Sequence, residues 1–239
     1  MSATLPTVLA MLAAFLFAFS AQVQNIGLAT EDTHVGTLAV VGTTAVLYWL
    51  VAPFVVAPNY WLTGAAALFA LTGLVRPTLT MVLWVEGIKR LGPTLNSGLA
   101  GSGPIFSATF AILVLGEVMT LPIAIGTAAV ISAVLVTVWR RPGSKVHFPA
   151  WAALLPLAAS LLRASAHAVT KLGYAEVPSP FFASLVGVSV GFFLLVVRFR
   201  WQGHTVNVRG HGVKYFVLAG ALNAGAIYLL NAALQVGQL

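Results

Sequence analysis

Cysteine is absent from the chain, and charged residues make up only 7% of its 239 positions. The absence of cysteine excludes disulfides, thiolate chemistry and cysteine-ligated metal sites. Soluble domains carry about 25% charged residues, so a chain this poor in charge is not a soluble domain. Long apolar segments of the chain must therefore cross a lipid bilayer, which is its first expected partner.

Acidic residues are especially scarce, with five Asp or Glu against 12 Lys or Arg. All five fall in predicted loops or at predicted helix ends: Glu31, Asp32, Glu86, Glu117 and Glu176. Antiporters that exchange protons for cations usually hold a carboxylate inside a membrane span. The sequence therefore argues against cation/proton antiport.

Motifs for catalysis and for metal binding are also missing. The chain has no His-x-x-x-His pair, no Gly-x-Ser-x-Gly turn and no phosphate-binding loop. We therefore expect no enzymatic activity, no cofactor and no metal site. Its basic residues lie mostly in short loops between apolar segments, as membrane orientation requires, so we expect no nucleic-acid partner.

Eight mostly apolar segments predict an all-α membrane protein with eight transmembrane helices. They cover residues 5–24, 35–57, 61–84, 94–115, 120–139, 150–171, 180–197 and 213–235. Nine basic residues fall in the loops on one side: Lys89, Arg90, Arg140, Arg141, Lys145, Arg198, Arg200, Arg209 and Lys214. The other side has only Lys171, so the positive-inside rule predicts an external N-terminus in the cell (inner) membrane.

The chain contains a faint internal repeat. Ser20-Ala21 and the following Asn-Ile-Gly-Leu-Ala resemble Ser165-Ala166 and the following Lys-Leu-Gly-Tyr-Ala, and Gly27 matches Gly173 at an offset of 146 residues. Gly73 matches Gly220 at an offset of 147. A five-helix repeat has an odd number of spans, so its second copy must be inverted in the membrane. We predict a first repeat over residues 1–146 and a second over residues 147–239.

Four motifs in the middle of the chain carry a family resemblance. They are Gly-Ile-Lys-Arg-Leu-Gly-Pro-Thr from residue 87, Pro-Ile-Phe-Ser-Ala from residue 104, Leu-Gly-Glu ending at Glu117, and the apolar helix from residue 126. Together they resemble the EamA-type branch of the drug/metabolite transporter superfamily. The resemblance implies ten helices in two inverted five-helix repeats, and the export or exchange of small metabolites.

This resemblance leaves the second repeat without its last two helices, because the chain ends at Leu239. The first interpretation is a secondary transporter of a small polar or anionic organic metabolite that works by alternating access. The alternative is a non-transporting membrane subunit, or an incomplete bundle that needs a partner. In that case another copy or a partner subunit would supply the missing helices.

Four basic residues within predicted spans are candidates for solute binding. Arg76 lies in the middle of the third span, where a charge normally faces the bundle interior or a wet cavity. Arg163, His167 and Lys171 are spaced four residues apart and form one stripe on the sixth span. Such a stripe favours a solute with a carboxylate, phosphate or sulfonate, although Lys171 could instead extend to the membrane interface.

Amides and one aromatic residue complete the predicted solute site: Gln22, Asn25, Asn223, Tyr228 and Asn231. The amides lie in the first and last spans and either line a polar cavity or join helices by hydrogen bonds. Tyr228 either forms an aromatic wall of that cavity or anchors its helix at the membrane interface.

Prolines and small residues predict bends and close packing. Pro77 and Pro104 cannot donate backbone hydrogen bonds, so they free the carbonyls of Gly73 and Ala100. Pro104 should also kink its helix. Gating and structural roles are predicted for Pro77, Gly98, Gly101, Pro104 and Glu117. Gly98 and Gly101 have the small-residue spacing of tightly packed helices. Glu117 resembles the glutamate that ends this helix in the EamA family.

Overall fold

A computed structural model describes residues 4–116, 121–139, 149–203, 210 and 212–237 of the protein. These residues form helices and connecting turns, and no strand occurs among them. In chain order the helices are α1 (Thr4–Leu28), α2 (Thr33–Val55), α3 (Gly64–Gly73), α4 (Thr80–Leu91), α5 (Pro93–Ala100), α6 (Gly103–Leu113), α7 (Leu121–Trp139), α8 (Leu154–Gly173), α9 (Pro180–Trp201) and α10 (Val213–Val236). The all-α prediction is thereby confirmed.

Five helices of the described chain are long and apolar enough, in length and composition, to cross a bilayer. Their bounds are Thr4–Leu28, Val35–Val55, Trp151–Gly173, Pro180–Trp201 and Val213–Val236. The molecule is therefore a multi-pass membrane protein.

Two of the predicted spans are interrupted in the structure. The span predicted at residues 61–84 consists of α3 and α4, joined by a π-helical segment over Leu74–Leu79. The span predicted at residues 94–115 consists of α5 and α6, which are separated by a turn at Gly101 and Ser102. Each interruption lies beside a proline that removes one helical hydrogen bond.

The described chain divides into two compact units, and the first comprises Met1–Leu74 and Gly173–Gly237. It contains α1, α2, α3, α9 and α10, with Phe216 of α10 buried against Val23 of α1 and Val40 of α2. The hydroxyl of Ser20 donates to the carbonyl of Ala219 at 2.9 Å. Such hydrogen bonds join helices where apolar packing alone would not fix their register.

Glycines allow two close helix crossings within this unit. A Cβ placed on Gly73 of α3 would lie 2.5 Å from the carbonyl oxygen of Gly187 and 2.8 Å from Cβ of Val190, both on α9. A Cβ on Gly220 of α10 would lie 2.7 Å from the carbonyl oxygen of Val40 and 2.7 Å from Cβ of Thr43, both on α2. Both crossings therefore require a residue without a side chain.

Two carboxylates bind the N-terminal ends of helices in the same unit. Oε1 of Glu176 accepts the backbone N–H of Gly64, and Oε2 accepts that of Ala65 at 2.6 Å, at the start of α3. Oε1 of Glu31 accepts the N–H of Gly212 at 3.2 Å, just before α10. Carboxylates are favourable there because helix N-termini expose unpaired N–H groups and a partial positive charge.

The second compact unit comprises Val75–Leu172 and contains α4 to α8. Asn96 of α5 is fully buried, and its amide nitrogen donates to the carbonyl of Trp84 on α4 at 3.3 Å. At the end of α4, Arg90 pairs with Glu86 at 2.6 Å, and its Cζ atom lies 4.4 Å from the ring centre of Trp151.

The division into two compact units does not coincide with the predicted repeat boundary at residue 146. Packing units and sequence repeats are different properties, so the boundary stays a prediction.

Candidate functional site

The interruption between α3 and α4 places a charged residue on an irregular backbone. Arg76 has φ −121° and ψ 130°, an extended conformation inside an otherwise helical segment. Pro77 causes this directly, because its ring disfavours the helical conformation of the preceding residue. Arg76 is partly buried and forms no ion pair with any described residue. A guanidinium in this setting needs water or an anion.

The polar stripe of α8 lies in the same compact unit as Arg76. Arg163 is exposed, whereas His167 and Lys171 are partly buried, and the three follow one another at intervals of one turn. Ser160 precedes Arg163 on the adjoining turn and is buried. Ionisable side chains within membrane spans normally face the bundle interior or a water-filled cavity.

Three of the predicted solute-binding residues come together. Arg163 and His167 lie one turn apart on α8, and the positive charges of Arg76 and Arg163 act electrostatically on His167. We call these three residues the basic cluster. Nε2 of His167 is buried and has no hydrogen-bond partner among the described residues. The cluster therefore offers two guanidinium groups and one unsatisfied imidazole nitrogen.

The interruption between α5 and α6 contacts α8 at Ser160, one turn before Arg163. Pro104 lies in the first turn of α6 and cannot bond the carbonyl of Ala100. The hydroxyl of Ser160 donates to this carbonyl at 2.9 Å instead. Oγ of Ser102 is buried in the interruption without a partner among the described residues. The predicted break is thus stabilised by a residue that the sequence did not single out.

Four of the five predicted gating and structural residues lie in or next to the two helix interruptions. Gly98 is buried, and Gly101 and Pro104 are partly buried. The backbone of Pro77 belongs to the π-helical segment. Glu117 lies outside the described residues, so its predicted role at the helix end stays a prediction.

The predicted amides and Tyr228 belong to the other compact unit. Nδ2 of Asn231 donates to Oγ of Ser184 on α9 at 2.8 Å, which is the helix-joining role. Asn223 is partly buried, and Tyr228 is exposed. Gln22 and Asn25 are both exposed, whereas Ser20, Val23 and Gly27 are the buried side chains of that part of α1.

Tyr174 is a further buried polar residue that the sequence did not suggest. Its hydroxyl donates to the backbone carbonyl of Asn231 at 3.2 Å. Burial raises the pKa of the Tyr174 phenol, and the nearby Tyr48 raises it further. The hydroxyl therefore stays protonated and remains a hydrogen-bond donor.

The chemistry available at the basic cluster includes the binding of anions. In the described part of the chain, no group of three or more histidine, cysteine or carboxylate side chains could hold a metal ion. Guanidinium groups bind carboxylate and phosphate oxygens in pairs of parallel hydrogen bonds. The arrangement is suited to holding an anion within the membrane.

Comparison with protein families adds an independent observation. The sequence model of the EamA-like transporter family matches residues 4–139, which is more than half of the chain. The chain belongs to the EamA-like transporter family. No protein of curated function matches the chain significantly. Membership in the EamA-like family confirms the predicted resemblance and assigns the chain to a family of membrane transporters rather than of enzymes.

The EamA-like match includes the interruption at Arg76 and the interruption before Pro104. It ends at residue 139 and does not include α8. Arg163 and His167 therefore lie outside the residues that the family model matches.

Proposed function

We propose that the protein is a secondary transporter that moves a small polar or anionic organic metabolite across the membrane by alternating access. The observation that carries this proposal is the basic cluster of Arg76, Arg163 and His167 within one compact unit of the helical chain. Ionisable residues within membrane spans are costly and mark solute or ion pathways. The EamA-like family supplies the class of activity, and the cluster indicates the solute chemistry.

The two helix interruptions support the transport proposal. In secondary transporters, solutes commonly bind where membrane helices are discontinuous. Here one interruption contains Arg76, and the other contacts Ser160, which is one turn from Arg163 on α8. A helix that is already broken can change its angle at that point without losing further hydrogen bonds. We infer that α6 pivots at Gly101 during the transport cycle.

Matched contacts in the two halves of the chain support two inverted repeats. Gly73 meets Gly187 and Val190, whereas Gly220 meets Val40 and Thr43. Gly220 lies 147 positions after Gly73, and Gly187 and Val190 lie 147 positions after Val40 and Thr43. The two crossings therefore match position by position at one offset, as two inverted repeats would predict.

A second pair of contacts follows the same relation. A Cβ on Gly173 would lie 2.5 Å from the Phe69 ring, and a Cβ on Gly27 would lie 2.8 Å from the Phe216 ring. The glycines are 146 positions apart and the phenylalanines 147. We therefore propose eight membrane spans in two repeats, at residues 1–146 and 147–239. In this arrangement α1, α2 and α3 occupy the same positions in the first repeat as α8, α9 and α10 in the second.

The proposed orientation places the N-terminus outside and the basic loops in the cytoplasm, in the cell (inner) membrane. Its support is the predicted distribution of basic residues in the loops, with nine on one side of the membrane and one on the other. Among the described residues, Lys89 and Arg90 lie in the last turn of α4, and Arg198 and Arg200 lie in the last turn of α9. All four are consistent with this assignment.

Reconstitution in proteoliposomes tests the proposed function. The purified protein is expected to accelerate the flux of at least one labelled solute from a panel of organic acids, phosphate esters, amino acids and nucleosides. Vesicles without protein give the background, and Arg200→Gln controls for the loss of one basic residue outside the basic cluster. Transport by Arg200→Gln with loss of transport in Arg76→Gln would support the proposal. Failure of the wild-type protein to move any solute would favour the non-transporting subunit instead.

A further inference from the structure

The basic cluster has no acidic partner in the described part of the chain. Glu86 pairs with Lys89 and Arg90. Glu31 and Glu176 bind backbone N–H groups at the starts of α10 and α3. The two guanidinium groups of the cluster therefore have no acidic counter-charge among the residues that the structure describes.

His167 adds a second sign of an absent ligand. Its Nε2 atom is buried and lacks a hydrogen-bond partner among the described residues. Buried polar atoms in native structures nearly always have a partner, and an exception calls for a specific cause. An oxygen atom of a bound solute would satisfy this nitrogen while its anionic groups neutralise Arg76 and Arg163.

We propose that the protein is an obligate anion exchanger whose solute is a small organic dianion held by Arg76, Arg163 and His167. This inference rests on the transport function proposed above and specifies its solute class and its coupling. Two guanidinium groups match two negative charges, and each can bind an oxyanion group through paired hydrogen bonds. A neutral or zwitterionic solute would leave the site with uncompensated charge.

Obligate exchange follows from the energetics of closing the site. In alternating access the site must pass through a closed state from which water is largely expelled. When the site is empty, this step removes hydration from two like charges with no counter-charge to replace it, which is strongly unfavourable. When a dianion is bound, the charges are compensated and the site can close. Only the loaded transporter therefore crosses rapidly, and each solute leaving must be replaced by another entering.

Counterflow in proteoliposomes tests the inference. Labelled succinate and labelled glycerol 3-phosphate represent dicarboxylates and phosphate monoesters, and labelled alanine represents solutes without net charge. We expect uptake of a dianion into vesicles preloaded with the same unlabelled dianion to exceed uptake into empty vesicles by about tenfold or more, since an unpaired charge in a membrane bundle carries at least that penalty. Alanine uptake is expected to stay at background.

Two matched variants connect this ratio to the cluster. Arg163→Gln removes one cluster charge, so we expect either loss of dianion uptake or a fall in the ratio of exchange to net uptake towards one. Arg200→Gln removes an exposed charge from the last turn of α9 and should keep the wild-type ratio. A wild-type ratio in Arg163→Gln would overturn the role of the cluster charge.

The wild-type outcomes separate this inference from the transport proposal. Equal uptake into empty and preloaded vesicles would overturn exchange and leave transport intact. Transport of alanine without transport of either dianion would overturn the dianion assignment and also leave transport intact. An absence of any flux in all vesicles would count against both.

Discussion

The paired glycine crossings give a stability prediction that tests the internal symmetry. Replacing Gly73 with alanine places a Cβ 2.5 Å from the carbonyl oxygen of Gly187, and replacing Gly220 places one 2.7 Å from that of Val40. Both obstacles are backbone atoms, so the helices themselves must move apart. We expect Gly73→Ala and Gly220→Ala to destabilise the protein by similar amounts.

The magnitude follows from a matched control. Gly126 lies in α7, and a Cβ added there would have no neighbouring atom within 4 Å, so Gly126→Ala gains only the helix-propensity benefit of about 0.5–1 kcal/mol. Because all three substitutions share this benefit, the difference between variants isolates the cost of overpacking. That cost is typically about 1–3 kcal/mol.

Thermal unfolding in detergent would measure this difference. For a protein of this size, 1 kcal/mol corresponds to about 2–4 °C in Tm. Both crossing variants should therefore melt below Gly126→Ala by several degrees. If either variant melts with or above Gly126→Ala, the close approach at that crossing is absent. If only one is destabilised, the proposed equivalence of the two crossings is refuted.

Two further stability effects follow from individual hydrogen bonds. Ser160→Ala removes the donor to the carbonyl of Ala100, so it should lower the free energy of unfolding by about 1–3 kcal/mol. Ser165→Ala, whose hydroxyl bonds only within its own helix, should cost less in the same unfolding measurement, and equal losses would contradict the assigned role of Ser160. Glu31→Gln and Glu176→Gln should each cost about 0.3–1 kcal/mol at a helix N-terminus. That loss should shrink when Tm is measured at high salt, and a salt-independent loss would argue against an electrostatic cause.

Both helix interruptions are predictable from the sequence because a proline lies within the first and just after the second. Pro77 and Pro104 remove one helical hydrogen bond each, and this local effect does not depend on the rest of the fold. The stripe formed by Arg163 and His167 is predictable for a similar reason, since a spacing of four residues places both on one helix face.

The partners across the fold are not predictable in this way. Ser160 bonds a carbonyl 60 residues away, and Glu31 bonds an N–H 181 residues away. Local pattern does not determine which helices are neighbours. One signal was present, because Glu31 and Glu176 are 145 positions apart, close to the offset of the repeat. If the two residues are treated as equivalent positions of the repeat, they are expected to make equivalent contacts, and in the structure each binds a helix N-terminus.

The orientation of α1 shows a second limit. This helix is apolar on nearly every side, so the pattern of its residues does not identify the face that packs. The sequence predicts that Gln22 and Asn25 either line a polar cavity or join helices. Both are exposed in the structure, and their role stays a prediction. Burial instead falls on Ser20 and Gly27, whose small side chains allow α10 to approach.

The central claim is that the basic cluster faces a water-filled pathway and not lipid. The natural absence of cysteine allows a single cysteine to be introduced at Arg163 and, as a control, at the exposed Phe15 of α1. Because thiol reagents attack the ionised thiolate, a cysteine in water reacts and a cysteine in lipid does not. In protein reconstituted in vesicles, we predict labelling of Arg163→Cys, but not of Phe15→Cys, by a charged, membrane-impermeant reagent. Labelling of Phe15→Cys with none of Arg163→Cys would contradict the account.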